Sequence, residues 1–210
     1  MSKSVSYILD DQGRKVRLNK RGKPKTHHLL VFFISWLLTI AIATPYFVAQ
    51  TPAKMDSGYR DAILVNGLGS GAPIPVNTLY TVPDIASPAT ASSGILTTGN
   101  QDTLYTCAWL DLSAGPLLLE VPDMADRYYS IQLTDPQTDS VFYYIGSRTT
   151  GTAAGTFLIT GPNWDGVVQS GITVIVSPNN EVLLLARVFV RDADDVQTAY
   201  ELSRKITLTR

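Results

Sequence analysis

From Thr103 onward, short apolar runs alternate with clusters of turn-forming residues. TLYTCAWLDL gives way to SAGP, LLLEV to PDMADR, YYSIQLT to DPQTDS, VFYYIG to SRTTGTAAG, TFLIT to GPNWDG, and ITVIV to SPNN, before EVLLLARVFV. Each run spans about 4–10 residues and is rich in Val, Ile, Tyr, Phe and Thr, while each break holds Pro, Gly, Asp, Asn or Ser. This rhythm predicts an all-β sandwich or barrel. The long helices that would separate parallel strands are missing from the pattern. Within the first run, Leu104, Thr106, Ala108 and Leu110 alternate with Tyr105, Cys107 and Trp109, so the run reads as a core strand with Trp109 buried.

Two segments break the period-2 pattern. At the C-terminal end, DADDVQTAYELSRKI places Val196, Ala199, Tyr200, Ser203 and Ile206 on one face at spacings of three and four. Its acids come first and Arg204 and Lys205 last, as the helix dipole favours. A helix over 192–206 closing over the sandwich is predicted. Near the other end, Leu29 to Val48 is uncharged and apolar. At 1.5 Å per residue, about 20 helical residues match a hydrocarbon core of roughly 30 Å. A cleaved signal peptide has a shorter apolar core and a shorter polar lead. A buried soluble helix is rarely apolar on every side. The segment therefore reads as one transmembrane helix, 29–48, with the lipid bilayer as its partner. Between helix and strands, residues 49–72 are rich in Pro, Gly and Ser, and GLGSG lacks the Gly-Lys-Ser/Thr ending of a phosphate loop. They read as a linker, with one helical turn set over 57–66, and VPDIASPATASSG reads as loop. The exported domain is expected over 73–210.

Charge assigns the sides. The polar arm 1–28 carries eight basic residues (Lys3, Arg14, Lys15, Arg17, Lys20, Arg21, Lys23 and Lys25) against Asp10 and Asp11. From Ala49 on, nine basic residues face sixteen acidic ones, a net charge of −7. A nucleic-acid reader would carry its basic patch on the folded domain, so no nucleic-acid partner is expected. A basic arm beside an apolar helix stays in the cytoplasm. The expected location is the plasma (inner) membrane, single-pass, with the C-terminal domain periplasmic or extracellular.

The available chemistry is narrow. The two histidines, His27 and His28, flank the apolar helix, which leaves none in the exported domain. A Ser-His-Asp or Cys-His arrangement cannot be built there, nor a zinc or copper site that needs imidazole. No D-x-D-x-D-G calcium loop occurs. No cofactor and no metal are expected. The single cysteine, Cys107, rules out an internal disulfide and reads as a small buried hydrophobe. Polar residues gather in three places: Asn100, Asp102, Thr103 and Tyr105; Asp126 to Tyr129; and Gly146 to Thr152. Asn100 and Asp102 are of the types that hold turns through backbone bonds. Arg127 and Arg148 suit carboxylates. One reading is a structural lattice in which Arg127 or Arg148 pairs with Asp102. The other is a ligand pocket lined by Asn100, Asp102, Tyr105, Arg127, Arg148 and Thr149.

Several of these segments occur together in a known pattern. N-x-D-T-x-Y stands at 100–105, A-W-L-D-L at 108–112, V-P-D at 121–123 and R-Y-Y at 127–129; G-x-R-T-T-G-T follows at 146–152 and G-P-x-W-x-G at 161–166. Over roughly 73–210 the chain resembles the bacterial domain-of-unknown-function family twelve fifty-four. The resemblance implies a β-sandwich of jelly-roll type and assigns no reaction. It also implies that many members continue into a second domain, so that a separate protein carrying that domain is an expected partner here.

The expected function is that of a membrane-anchored envelope domain binding a partner protein or small ligand. Its rivals are a histidine-independent hydrolase or lyase using Asp102, Tyr105 and Arg148, and a purely structural envelope module.

Overall fold

The computed structural model describes residues 7–17, 27–85 and 100–210, and at 27–29, 52, 53, 55 and 56 the backbone alone. Lys3, Lys20, Arg21, Lys23 and Lys25 of the basic arm, the His27 and His28 side chains, and the part of the expected loop from 86 on lie outside this description.

The N-terminal unit, residues 1–50, contains a two-stranded antiparallel hairpin, β1 (Tyr7–Leu9) and β2 (Lys15–Arg17), and most of helix α1 (His27–Leu64). Asp10 closes the hairpin turn by accepting from the backbone N–H groups of Gln12 and Arg14 and pairing with the Arg14 side chain at 2.7 Å. Over Leu30–Thr51 the helix has a mean hydropathy of 2.0 and is long and apolar enough to cross a membrane. Its large side chains, among them Phe32, Phe33, Trp36 and Phe47, are exposed.

The C-terminal unit, residues 51–210, is built from two sheets. The first holds β3 (Tyr80–Thr81), β4 (Thr103–Asp111), β6 (Tyr129–Asp135), β7 (Ser140–Gly146) and β10 (Glu181–Phe189), in the order β3-β4-β10-β6-β7. The second holds β5 (Leu117–Val121), β8 (Gly155–Thr160), β9 (Thr173–Val176) and β11 (Thr207–Thr209), in the order β11-β5-β8-β9. All seven apolar runs of the sequence are strands. Pairing is antiparallel except between β8 and β9.

The sheets share one apolar core. Leu104, Ala108 and Leu110 of β4, Ile131 and Leu133 of β6, and Leu184 and Val188 of β10 meet Leu117 and Leu119 of β5, Phe157 and Ile159 of β8, and Ile175 of β9. This is the sandwich that the alternation predicts. Helix α2 (Val196–Ser203) closes one side of the core through Ala199, with Val196 and Tyr200 packed beside it. It is shorter than the predicted 192–206. Asp192 caps a 3-10 turn over Ala193–Asp195, accepting from the N–H groups of Asp194 and Asp195, and after Arg204 the chain turns into β11.

The segment 49–72 differs from the expected linker. Helix α1 continues to Leu64, and a turn follows at Gly67–Gly69. Ala62, Ile63, Leu68 and Ile74 are buried against Tyr105, Cys107, Trp109 and Leu183 on the outer face of the five-stranded sheet. Polar and glycine-rich spacing hid this second core, because its apolar residues follow no long period. Gly67 lets the chain reverse there. Its φ is +65°, and a Cβ would lie 1.8 Å from the Ala72 carbonyl oxygen.

Candidate functional site: the outer face of the five-stranded sheet

Because side chains alternate along a strand, the odd-numbered positions of β4 and β10 and the even-numbered positions of β6 share the outer face. Register aligns Tyr105, Arg187, Ser130 and Gly146 in one row across the sheet, and Cys107, Leu185, Gln132 and Tyr144 in the next. The β4 side of this face lies under the end of α1 and the turn after it. The β6 and β7 side is open.

Two adjacent cavities occupy the boundary. One, about 260 Å³, is lined by Tyr59, Ile63, Leu68, Tyr105, Cys107, Leu183, Leu185, Gln132, Thr134, Asp139 and Arg187. The other, about 400 Å³, is lined by Tyr128, Tyr129, Ser130, Gln132, Tyr144, Ile145, Gly146, Arg148, Thr149 and Arg187. Gln132 and Arg187 belong to both.

Arg187 is half-buried on β10, the middle strand of its sheet. Its guanidinium lies 5.3 Å from the centre of the Tyr105 ring, and one N–H reaches Gln132 Oε1 at 3.5 Å. Arg148 stands at the tip of the next loop, 5.3 Å over the Tyr128 ring. That loop is held from within. The N–H groups of Thr149, Thr150 and Gly151 all donate to the Gly146 carbonyl, and Ser147 Oγ accepts from the Tyr129 N–H. Gly146 packs so closely on β6 that a Cβ would lie 2.5 Å from the Tyr129 carbonyl oxygen. Burial pushes the Cys107 thiol up to about 12, with the Arg187 charge acting in the opposite direction, so Cys107 is a protonated, apolar part of the wall.

The six residues singled out from the sequence are dispersed. Tyr105 lines the first cavity, and Arg148 and Thr149 the second. Asn100, Asp102 and Arg127 line neither. Asn100 is a turn-former: its amide donates to the Thr103 carbonyl at 2.7 Å and accepts from the Thr103 N–H and hydroxyl. Asp102 is exposed, and its side chain makes no hydrogen bond or ion pair among the described residues; its carbonyl accepts from the Val190 N–H at 2.7 Å.

The pairing of Arg127 or Arg148 with Asp102 is replaced by another. Arg127 forms a two-pronged ion pair with Asp195, donating through Nη1 to Oδ2 and through Nη2 to Oδ1 at 2.8 Å, and also donates to the Phe189 carbonyl at 2.7 Å. Asp195 accepts as well from the Arg191 N–H at 2.9 Å. The Arg127 guanidinium and this N–H hold the Asp195 carboxyl well below the usual carboxylate range. Asp195 lies 68 residues from Arg127, and its acid-rich segment already had a local explanation as a helix start. Nothing in the local sequence linked the two.

Arg187, Gln132 and Tyr144 are site residues that the sequence did not single out, and Tyr128 stood in the Asp126 to Tyr129 grouping without being one of the six pocket candidates. One signal was available. Arg187 interrupts the apolar run EVLLLARVFV, and a charge within an otherwise apolar central strand needs a reason.

The family model described as "Protein of unknown function (DUF1254)" matches residues 76–210. The chain belongs to the DUF1254 family. Among solved structures, the VPA0106 protein from Vibrio parahaemolyticus is similar to it at 25% identity and a TM-score of 0.56, covering 73% of this chain and 34% of that one. An uncharacterized protein from Burkholderia cenocepacia aligns at 16% identity and a TM-score of 0.37, over 56% of this chain and 32% of that one. This DUF1254 chain thus spans about a third of the length of the solved structures that it matches. No curated protein matches it.

Proposed function

We propose that this DUF1254 protein is a single-pass, membrane-anchored binding module of the cell envelope. The basic arm is cytoplasmic, Leu29 to Val48 spans the bilayer, and the β-sandwich, of jelly-roll type, projects outside and takes a small ligand or partner on its outer face. The observation that carries this reading is the pair of cavities meeting at Arg187, a half-buried guanidinium with no carboxylate partner among the described residues. Clefts of a few hundred Å³ with mostly apolar walls and few polar groups are the usual form of ligand sites. The uncharged stretch Leu30–Thr51 of α1 and the excess of basic residues before it support the anchor and its orientation. The hydrolase or lyase reading has less support, because its acid, Asp102, lines neither cavity. A separate protein carrying a second domain belongs to the proposal as a partner. The uncovered two-thirds of the Vibrio chain supports that part.

A photo-crosslinking residue at position 144, tested in intact cells, examines the groove. An adduct there that Gln132→Trp suppresses is expected, with none from the fully exposed position 167. Absence of an adduct from 144, or equal yields from 144 and 167, overturns the groove as the site. A reporter fused after Arg210 examines the orientation, and its activity in the cytoplasm overturns it.

A further inference from the structure

The two cavities differ in the residues that line them, and Arg187 lines both. Below it, the smaller cavity has a hydrocarbon wall made by Ile63 and Leu68 from the α1 side and Leu183 and Leu185 from β10. On its other side, the larger cavity has an aromatic wall, with Tyr128, Tyr129 and Tyr144 beside Arg148. A packed sheet alone would be better served by another leucine at position 187, in line with Leu183 and Leu185 on the same face. Instead, a guanidinium is partly withdrawn from water there. The contact with the Tyr105 ring compensates it in part. The bond to Gln132 is at the long limit. Its donors therefore remain available to an acceptor entering the groove.

We infer that Arg187 anchors the carboxylate of a small amphiphilic acid, whose hydrocarbon body lies against Leu183, Leu185, Ile63 and Leu68. This names the ligand class for the groove read above as the binding site, and it rests on that reading. The planar fork of one guanidinium matches a carboxylate through two parallel hydrogen bonds. A doubly charged phosphate calls for more positive charge than one guanidinium supplies, and the acid on the first cavity's lining, Asp139, opposes it more strongly than a singly charged carboxylate. The hydrocarbon wall has no use for an inorganic anion but offers a favourable place to an alkyl or aryl body. Arg148, exposed above the larger cavity, adds a field that draws anions toward the groove.

The test is calorimetric titration of the full chain in lipid nanodiscs with hexanoate, 3-phenylpropanoate, hexanamide and inorganic phosphate. Both acids are expected to bind, and hexanamide to bind at least tenfold more weakly than hexanoate. Arg187→Gln should weaken both acids at least tenfold while leaving the thermal unfolding midpoint in place, and it subtracts any partitioning into the lipid. Arg187→Lys should restore part of the affinity. Leu185→Ser should weaken hexanoate without restoring binding of the amide. Equal affinity for acid and amide overturns the inference, and so does hexanoate binding to Arg187→Gln at wild-type strength. Phosphate binding that exceeds both acids and is lost in Arg187→Gln overturns the ligand class and leaves the groove standing. Failure of both acids with a groove adduct at position 144 has the same meaning. Failure of both acids without that adduct removes the inference and the reading beneath it together.

Discussion

The outer face of the five-stranded sheet has a covered half and an open half, and the two obey different rules. Under the end of α1, Tyr105, Cys107, Trp109 and Leu183 are packed as in a core. Across the sheet toward β6 and β7, beyond that cover, the face carries Arg187 of β10, Ser130 and Gln132 of β6 and Tyr144 of β7. Strand β4 is buried along nearly its whole length because it lies between two layers, whereas β6 alternates over Tyr129–Leu133, where only one of its faces is covered. The contrast shows that residues 59–74 act as a third layer, one that stops halfway and leaves a groove at its margin.

The largest effect is expected where the covered half is weakened. Trp109 is 1% exposed, and Trp109→Ala should cost about 3–5 kcal/mol in denaturant unfolding, as large aromatic truncations in cores do. Its indole N–H has no hydrogen-bond partner among the described residues. Trp109→Phe therefore removes an unsatisfied donor along with some volume and should cost less than half as much. A cost below about 1 kcal/mol for the alanine change would mean that the third layer contributes little.

Next comes the comparison of the two arginines. Arg127 has its carboxylate, and Arg187 has none among the described residues. The Arg127 and Asp195 side chains are each 11% exposed, so Asp195→Asn, which strands the guanidinium, should cost about 2–4 kcal/mol, somewhat less than for a fully buried pair. The pH dependence follows from the lowered Asp195 value. A carboxyl whose folded value lies below its unfolded value of about 3.9 contributes stability that is complete above about pH 5. That contribution declines as the pH falls through the unfolded value toward the lower folded one. Unfolding free energies at pH 6 and pH 3 should therefore converge more in Asp195→Asn than in the native chain. An equal acid loss in both would detach the pair from folding.

The smallest effect is expected at Asp102, the acid that a pocket centred on the N-x-D-T-x-Y segment would need. Exposed and unpaired among the described residues, it should tolerate Asp102→Asn within about 0.5 kcal/mol. A melting temperature lowered by several degrees would mean that Asp102 has a partner beyond the described residues.

Much of the fold was legible before any coordinates. The seven apolar runs became strands, because period-2 burial is a local property of a chain with one face in a core. The alternation of Leu104 and Ala108 with Tyr105 and Trp109, the helix through Ala199 and Tyr200, and the apolar span after the basic arm were all readable for the same reason: each depends on the spacing of neighbours. Asn100 was readable as a turn residue because its partner, Thr103, is three residues away. What the sequence could not supply was everything that depends on distant segments meeting. Arg127 found Asp195 across 68 residues, not the nearer acid that its motif suggested. Most of the segment 59–74 falls in the stretch 49–72 that reads as a linker in isolation, and it becomes a layer only against the sheet. Arg187 looks like one charge in an apolar run until strand order sets it beside Tyr105 and Gln132, at the edge of that layer. Local spacing determines which face of a strand is apolar. Only tertiary packing decides how much of that face is covered, and so where a charge can be left facing an open groove.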